Sequence, residues 1–520
     1  HKVYAAYHQA VHHADGRPTV ILAKTVKGYG MGEAGEGQNI THQQKKMGEK
    51  ALREFRDRFD LPISDERIGE APFYRPADDS PEVMYLKKRR EELGGFLPQR
   101  QGQSEPLKIP PLETFQALLD GTGEREISTT MAFVRLLQTL VRDKSVGSRV
   151  VPIVPDEART FGMEGMFRAL GIYSVVGQKY RPEDADQLAF YREDIKGQIL
   201  EEGITEAGAM SSWIAAATSY ANHGQPLIPF YIFYSMFGFQ RIGDLAWAAG
   251  DMRARGFLLG GTAGRTTLNG EGLQHEDGHS HLLAATVPNC RAYDCTFAYE
   301  IAVIIHHGMQ QMYVENQDHY YYLTLENENY AHPPLPEGIN EGIVRGLYAF
   351  DLAKKPGKAH VRLMGCGAIF RELQAAKTML EADWDCSVDL WAAPSFTELA
   401  RDGQDVARAR LLGKKVEAPY LTRCLEERKG PVVAASDYMK AWPEMVRAFV
   451  PDHFTTLGTD GFGRSDTREA LRDFFEVDRR WITLAALQAL VDTGAKPASV
   501  LNKARKALQI DVDHRNPRLS

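Results

Sequence analysis

The chain has 520 residues, of which 43% are apolar and 25% are charged, and its formal net charge is −7 at pH 7. These values are typical of globular proteins, and the length predicts about three domains. The negative charge gives no support to a nucleic-acid or anionic-membrane partner. No apolar run approaches the roughly 20 residues that cross a bilayer, so no membrane association is expected.

The five cysteines are odd in number and are not spaced in the pairs typical of metal sites; they are Cys290, Cys295, Cys366, Cys386 and Cys424. We expect small buried thiols in a reducing compartment, with the cytoplasm as the location. The chain starts at His1 without a signal-peptide pattern, and its first residues already resemble the end of a helix. We therefore expect it to be part of a longer protein.

The first hundred residues predict one strand, one loop and two helices. Residues 19–26 form an almost continuous apolar run, typical of a strand buried on both faces of a parallel sheet. A glycine-rich loop follows at 27–37, and a charged helix is predicted at 43–58. Residues 61–110 predict an extended connection with one exposed helix.

From Ser128 onward, helices and strands alternate. Ser128 or Thr129 can cap a helix, and strands are predicted at 150–154, 227–234, 256–259, 320–325, 360–364 and 387–392. Long helices are predicted at 297–313 and 368–380, and the proline-rich residues 331–338 predict a stiff linker. This alternation is typical of doubly wound, mostly parallel α/β sheets, which bind ligands where the strands end.

Two glycine patterns resemble phosphate-binding loops, but we interpret them otherwise. Residues 30–35 match the dinucleotide fingerprint, yet the chain continues as a loop where the fingerprint requires a helix. Five glycines within eleven residues favour a lid that a ligand orders, with a plain surface loop as the alternative. Gly365-Cys366-Gly367 lacks the third glycine and predicts a tight turn.

The densest polar cluster is residues 275–281, with sequence HEDGHSH. Zinc binding is the weaker interpretation, because Gly278 interrupts any helix that would align the histidines and no cysteine is near. Proton transfer by His275 is favoured. Glu206 lies among small and apolar neighbours in residues 203–210, so its carboxyl could be partly desolvated; an exposed helix glutamate is an equal alternative. Glu157 is either a site residue or part of a surface ion pair.

Four segments carry a family resemblance that covers nearly the whole chain. They are residues 156–165 (DEARTFGMEG), 231–244 (YIFYSMFGFQRIGD), 266–281 (TTLNGEGLQHEDGHSH) and 459–466 (TDGFGRSD). These segments resemble the homodimeric pyruvate dehydrogenase decarboxylating components, which have a transketolase-like architecture. The resemblance implies that 1–105 is the tail of a diphosphate-binding domain, 106–335 a pyrimidine-binding domain and 336–520 a transketolase C-terminal-like domain.

The resemblance also implies a cofactor, thiamin diphosphate with Mg²⁺, and a role for each matched residue. Glu206 would hydrogen-bond to the aminopyrimidine ring and activate the cofactor, and Phe237 would stack on that ring. Four further residues would surround the substrate and cofactor: Tyr234, Glu157, Glu271 and His275. Three would lie on the mobile lid, where His42 would help acetyl transfer: Lys27, Glu36 and His42.

The family motif that holds magnesium and the diphosphate, Gly-Asp-Gly followed by an asparagine, is not in this sequence. We therefore expect no metal ligand here, place those ligands upstream of His1, and expect the piece alone to be inactive. The resemblance implies pyruvate as substrate, a homodimer, and the lipoyl domain and core of the dihydrolipoyl acetyltransferase as partners. The alternatives are a transketolase, a dehydrogenase for another 2-oxoacid, or an inactive dimerisation or docking piece.

Overall fold

The computed structural model describes the whole chain except residues 14, 97–100, 156–157, 184 and 186–190. It divides into two compact units, residues 1–99 and 100–520. The smaller unit contains α1 (Lys2–His12), α2 (Glu49–Arg58) and α3 (Pro81–Glu92), and three 3₁₀ turns at Gly32–Ala34, Asn39–Gln43 and Ile68–Glu70.

The strand predicted at 19–26 is wrong: these residues have no regular secondary structure and are exposed, with Leu22 92% and Val20 79% exposed. A strand needs a neighbour to satisfy its backbone groups, and the described part of this unit contains helices and turns but no strand. The predicted charged helix begins six residues later than expected, at Glu49, because residues 39–43 form a separate 3₁₀ turn.

The larger unit alternates strands and helices. Its strands are β1 (Glu126–Ile127), β2 (Val150–Val154), β3 (Ile172–Tyr173), β4 (Glu193–Asp194), β5 (Leu200–Glu201), β6 (Ile228–Tyr234), β7 (Phe257–Gly261), β8 (Cys290–Asp294), β9 (Tyr320–Thr324), β10 (Tyr330–Ala331), β11 (Tyr348–Asp351), β12 (His360–Gly365), β13 (Ser387–Ala392), β14 (Val432–Ala435) and β15 (Phe454–Leu457). Its helices are α4 (Gln116–Leu119), α5 (Thr129–Leu140), α6 (Phe167–Leu170), α7 (Glu206–Ala217), α8 (Ser219–His223), α9 (Gly238–Asp251), α10 (Ser280–Ala285), α11 (Ala298–Tyr313), α12 (Asn340–Arg345), α13 (Ile369–Asp383), α14 (Phe396–Leu411), α15 (Tyr420–Glu426), α16 (Ala441–Glu444), α17 (Arg468–Phe474), α18 (Arg479–Asp492) and α19 (Ser499–Ala507).

Two sheets organise this unit. The first has six parallel strands in the order β5-β2-β6-β7-β9-β8. The second has the order β11-β13-β12-β14-β15, and β11 is antiparallel to its neighbour. The predicted α/β class with mostly parallel sheets is confirmed.

Local sequence explains the main elements. The Ser128 hydroxyl accepts the backbone N–H of Met131 at 3.2 Å and caps α5, whose apolar side chains are buried. Strand β6 is apolar and buried along almost its whole length, as expected for a central parallel strand. Gly365-Cys366-Gly367 forms the predicted turn, and Gly367 has φ +57.

The cysteines are all free thiols; Cys290, Cys295, Cys366 and Cys386 are buried and Cys424 is half-buried. None of the helices in the described part of the chain combines the length and apolar character required to cross a membrane.

Candidate active site

The candidate site lies where neighbouring strands of the six-stranded sheet end. Tyr234, the last residue of β6, pairs in register with Gly261, the last residue of β7. Glu206 begins α7 shortly after β5, and His275 lies in the loop after β7. The topology therefore gathers three separate chain segments at the carboxyl edge of the sheet, where parallel α/β proteins bind ligands.

Three rings form the centre of the site. The ring centroid of Phe237 is 6.0 Å from that of Tyr234 and 5.1 Å from that of His275. Tyr234 and His275 are 5.5 Å apart. The Tyr234 hydroxyl also lies 3.4 Å from the Thr160 hydroxyl, and Phe161 packs 5.4 Å from the Tyr234 ring. These contacts fix the relative positions of the three rings.

Glu206 is connected to this cluster through Arg241. Arg241 Nη1 donates to Glu206 Oε1 at 2.7 Å, and the guanidinium carbon lies 4.1 Å from the Phe237 ring centroid. The Glu206 side chain is only 15% exposed, so the half-buried alternative is correct and the exposed helix glutamate is wrong. The Thr205 hydroxyl caps the same helix by accepting the N–H of Gly208.

The loop after β7 presents His275 and then turns inward. Among the described residues, the buried Nδ1 of His275 has no hydrogen-bond partner. The next residue, Glu276, is fully buried, and burial raises the pKa of its carboxyl to about 8. Its only hydrogen bond among the described groups is accepted from the backbone N–H of Arg464 at 2.7 Å.

A joint with the segment 459–466 holds this loop in place. Arg265 Nη1 donates to the carbonyl oxygens of Thr459 and Gly461, the latter at 2.6 Å. The N–H of Gly270 donates to the carbonyl of Asp466 at 3.3 Å. The segment thus supports the loop mainly through its backbone, and it connects the second sheet to the candidate site.

The other histidines of the cluster do not form a metal site. His281 is buried against the indole of Trp442 at 4.1 Å, and burial lowers its pKa to about 3. Its Nε2 lies 2.9 Å from the Thr324 hydroxyl, whereas His279 contacts Gln240. Among the described residues, no group of three or more histidine, cysteine or acidic side chains is arranged to hold a metal ion.

The remaining predicted residues have different positions. Glu271 is exposed in the same loop as His275. Glu157 lies outside the described residues. Lys27, Glu36 and His42 belong to the smaller unit, where Lys27 and His42 are exposed.

Glu36 organises the glycine-rich loop of that unit. Its Oε2 accepts the N–H groups of Gly30 and Gly32 at 3.1 and 3.3 Å and the guanidinium of Arg58 at 2.6 Å. The hydrogen bond from Arg58 is the main reason that the pKa of Glu36 is lowered. Two of the glycines in the dinucleotide-like pattern therefore donate to Glu36 of the same loop. This agrees with the prediction that the pattern is not a dinucleotide site.

Sequence reasoning did not identify Arg241. The residue follows Phe237 by four positions within the segment YIFYSMFGFQRIGD. Side chains four positions apart are neighbours on a helix. A helix predicted from Gly238 onward would therefore have indicated that Arg241 lies against the Phe237 ring.

Comparison with known proteins shows which proteins the chain resembles. Residues 107–333 match the model of the pyruvate dehydrogenase E1 component middle domain, and residues 346–478 match the transketolase-like C-terminal domain. The pyruvate dehydrogenase E1 component of Pseudomonas aeruginosa is 61% identical over 99% of this chain and 59% of its own length. That of Escherichia coli K12 is 52% identical over 100% of this chain and 58% of its own length. The chain therefore spans about three fifths of the curated relatives that it matches.

Solved structures support the fold. A transketolase from Campylobacter jejuni has a TM-score of 0.60 at 15% identity, covering 90% of this chain and 63% of that one. A transketolase from Leishmania mexicana has a TM-score of 0.55 at 15% identity, covering 89% of this chain and 57% of that one. The chain therefore resembles pyruvate dehydrogenase E1 components over nearly its whole length, and it has a transketolase-like fold.

Proposed function

We propose that this chain provides the pyrimidine-binding half of a thiamin-diphosphate site in an enzyme that decarboxylates pyruvate. The enzyme would pass the acetyl group to the lipoyl arm of a dihydrolipoyl acetyltransferase. One observation carries the proposal: Glu206, Phe237, Tyr234 and His275 meet at the carboxyl edge of one parallel sheet. Relatives that are 50–61% identical are named pyruvate dehydrogenase E1 components, and this supports the proposed reaction.

The residues present fit an aminopyrimidine ring. Such a ring is planar, carries N–H donors and requires an aromatic face and an acceptor oxygen. The site already accommodates a group of this kind, because the planar guanidinium of Arg241 lies on Phe237 and donates to Glu206. Mg²⁺ and the diphosphate would bind to the part of the enzyme that relatives have in addition to this sequence.

When bound, thiamin diphosphate supplies the electron sink that accepts the electron pair left by loss of CO₂. Glu206 would accept a hydrogen bond from the ring and hold a proton there. Phe237 would orient the ring by stacking. Tyr234 and His275 would line the substrate side, where the unpartnered Nδ1 of His275 can exchange a proton with the substrate.

The other parts of the chain have proposed places in the same enzyme. Residues 1–105 would end the diphosphate-binding domain, 106–335 would bind the pyrimidine, and 336–520 would form the C-terminal domain; the family-model matches at 107–333 and 346–478 support these boundaries. Lys27, Glu36 and His42 would belong to the lid, and Glu157 and Glu271 to the substrate side. A cytoplasmic homodimer that docks on the acetyltransferase core completes the proposal.

A transketolase is the closest alternative, since the fold is shared. Its support is weaker, because the matching transketolase structures are only 15% identical, whereas pyruvate dehydrogenase E1 relatives reach 61%. Pyruvate turnover with a lipoyl acceptor, compared with ketose transfer, distinguishes the two activities.

The decisive experiment uses Glu206→Gln in a chain extended to the length of its relatives. We expect pyruvate turnover to fall by at least about a hundredfold, the lower end of what one proton-transfer group contributes. Binding of thiamin diphosphate with Mg²⁺, measured by titration calorimetry, should change much less. The matched control is Glu202→Gln, because Glu202 precedes the same helix and contacts Ser212 at 2.5 Å.

Equal turnover in Glu206→Gln and Glu202→Gln would contradict the role of Glu206. If the extended chain transferred ketose units and did not decarboxylate pyruvate, the transketolase alternative would replace the proposal.

A further inference from the structure

Helix α1 carries two histidines one helical turn apart. His8 and His12 are both exposed, and their ring centroids are 4.4 Å apart with an interplanar angle of 46°. Side chains four positions apart lie on the same face of a helix. The rings of Tyr4 and His13 lie farther from the His8 ring, at 5.9 and 5.8 Å. The last turns of α1 therefore present two imidazoles side by side.

The histidine pair lies on the polar side of an amphipathic helix. The apolar residues Val3, Tyr7 and Val11 recur every four positions and form a separate stripe. At about 100° per residue, the centre of this stripe lies about 120° around the helix from the midpoint of the histidine pair. A partner that covered the apolar stripe would therefore leave His8 and His12 accessible.

The separation of the two rings suits a shared metal ion. An imidazole nitrogen binds Zn²⁺ at about 2.0–2.1 Å, which places the ring centre about 3 Å from the ion. Two rings at neighbouring coordination positions would then have centroids about 4–5 Å apart. The observed separation is 4.4 Å. Two histidines at positions i and i+4 are also the arrangement by which single helices bind zinc.

We propose that His8 and His12 form a two-histidine site for a divalent late transition metal (Ni²⁺, Cu²⁺ or Zn²⁺), with water as the remaining ligands. Neutral imidazole suits these ions, whereas Mg²⁺ prefers oxygen. The site is therefore chemically distinct from that of the Mg²⁺ proposed to bind with thiamin diphosphate. Because it uses two protein ligands, it is consistent with the finding that no three histidine, cysteine or acidic side chains of the described chain are arranged to hold a metal ion.

Metal binding should stabilise the end of α1. The helix ends at His12, so an ion bound to both histidines would connect its last two turns. Helix ends fray, and an ion that binds the helical arrangement more tightly than the frayed one favours the helix by mass action. The expected sign is slower hydrogen exchange of the α1 amides when the metal is present.

The test measures Ni²⁺ binding in a chain extended to the length of its relatives, in which residue 1 has no terminal amine to bind the metal. Excess Mg²⁺ and thiamin diphosphate are present to fill sites built from oxygen ligands. Titration calorimetry gives the Kd for Ni²⁺, and hydrogen exchange of residues 2–12 locates the ion. His8→Ala and His12→Ala each remove one ligand. His13→Ala is the matched control, because it removes a neighbouring exposed histidine that is not part of the pair.

We expect His8→Ala and His12→Ala each to weaken Ni²⁺ binding at least about tenfold, since loss of a group outside the ligand shell already costs about 10- to 100-fold. His13→Ala should leave the Kd nearly unchanged. Ni²⁺ should slow the exchange of residues 2–12 in the native protein and in His13→Ala, but not in the other two variants. Circular dichroism checks that each variant folds.

Equal loss of affinity in all three variants, or no loss in His8→Ala and His12→Ala, overturns the inference. Metal-dependent protection of residues 2–12 that persists without either histidine overturns it as well. The site lies outside the candidate active site, so the inference does not depend on the proposed function. Pyruvate turnover without Ni²⁺, measured on the same variants, keeps the two results separate, because loss of the metal site should not change it.

Discussion

Two consecutive side chains in the loop after β7 have opposite environments. His275 faces the aromatic cluster, 5.1 Å from Phe237, and its Nδ1 lacks a partner among the described residues. Glu276 is fully buried and accepts only the N–H of Arg464. The backbone of Arg464 therefore fixes the residue next to the proposed proton carrier, so the protonation of Glu276 should affect how firmly the loop is held.

Replacing Glu276 by glutamine should make stability less sensitive to alkaline pH. Because burial raises the pKa of Glu276 from 4.5 to about 8, the folded protein binds this proton more tightly than the unfolded chain. The stability of the native protein should fall as the pH rises from about 4.5 to about 8 and then become level. Glu276→Gln removes this loss, so at pH 8.5 the variant should be more stable, on the order of 5 kcal/mol.

The measurement is the thermal unfolding midpoint of both proteins at pH 5 and pH 8.5. The difference between them should be small at pH 5 and large at pH 8.5. Glu271→Gln is the control, because Glu271 lies in the same loop but is exposed. A variant less stable than the native protein at pH 8.5 would show that Glu276 is ionised and satisfied in the fold.

Prediction of individual contacts was limited, because the sequence does not show which distant residues lie next to each other in the fold. Small and apolar neighbours indicated that Glu206 was partly desolvated, and the structure confirms this at 15% exposure. The partner of Glu206 is 35 residues away in sequence, on a different helix. The sequence pattern within α7 or α9 does not predict a contact between the two helices. Arg241 was therefore recognised only from the structure, in which the sheet places the starts of α7 and α9 close together.

At the scale of elements, the local sequence predicted a helix or strand correctly where the contacts that stabilise it involve nearby residues. Helix α5 has a polar cap at Ser128 followed by apolar positions at helical spacing, and it begins where the sequence predicts. Strand β6 was found from a buried apolar run. Residues 19–26 have a similar apolar run, but strand formation also depends on a neighbouring chain, which composition does not supply.

Removing the Ser128 cap should destabilise the larger unit by about 1 kcal/mol. Ser128 is 4% exposed, and its hydroxyl accepts the Met131 N–H, so Ser128→Ala removes the acceptor of a helix-capping hydrogen bond. Urea unfolding followed by circular dichroism measures the loss. Ser211→Ala is the control, since Ser211 is exposed within α7 and bonds only to the preceding turn. Equal effects of the two substitutions would contradict the capping role.

At the scale of the whole molecule, the two compact units differ in how much apolar surface they bury. The larger unit contains the three apolar clusters of the described chain. The smaller unit leaves large apolar side chains exposed in α1 and in residues 19–26. Relatives of this chain are longer, since it covers 59% of the Pseudomonas aeruginosa protein. The additional sequence is therefore the natural source of a partner for the exposed segment.

Hydrogen exchange should detect that partner. In the 520-residue chain, the backbone amides of residues 19–26 are unpaired and should exchange within seconds. In a chain extended to the length of its relatives, the same amides should be protected, because the additional sequence would cover the exposed apolar run. Mass spectrometry of the two proteins measures this difference, and Ile228–Tyr234 serves as a control that should exchange slowly in both. Fast exchange of 19–26 in both chains would contradict the expected protection.

The α/β class and the alternation of strands were predictable because each depends on patterns within about 20 residues. The joint between the loop after β7 and the segment after β15 was not, because it depends on contacts over nearly 200 residues, such as that between Arg265 and Thr459. The roles of all the predicted site residues, Glu157, Lys27 and His42 among them, stay predictions.

The joint between the loop after β7 and residues 459–466 has a consequence for sequence variation. The loop contributes side chains, those of Arg265 and Glu276, whereas the segment contributes carbonyl oxygens and an N–H group. Backbone groups are the same whichever residue bears them. Substitutions in the loop should therefore disrupt the joint more than substitutions in residues 459–466. Saturation mutagenesis should accordingly find Arg265 intolerant of replacement and Phe462, which is 84% exposed, broadly tolerant. Gly461, with φ +115, should be the exception within the segment, because it is the main chain itself that must keep its shape.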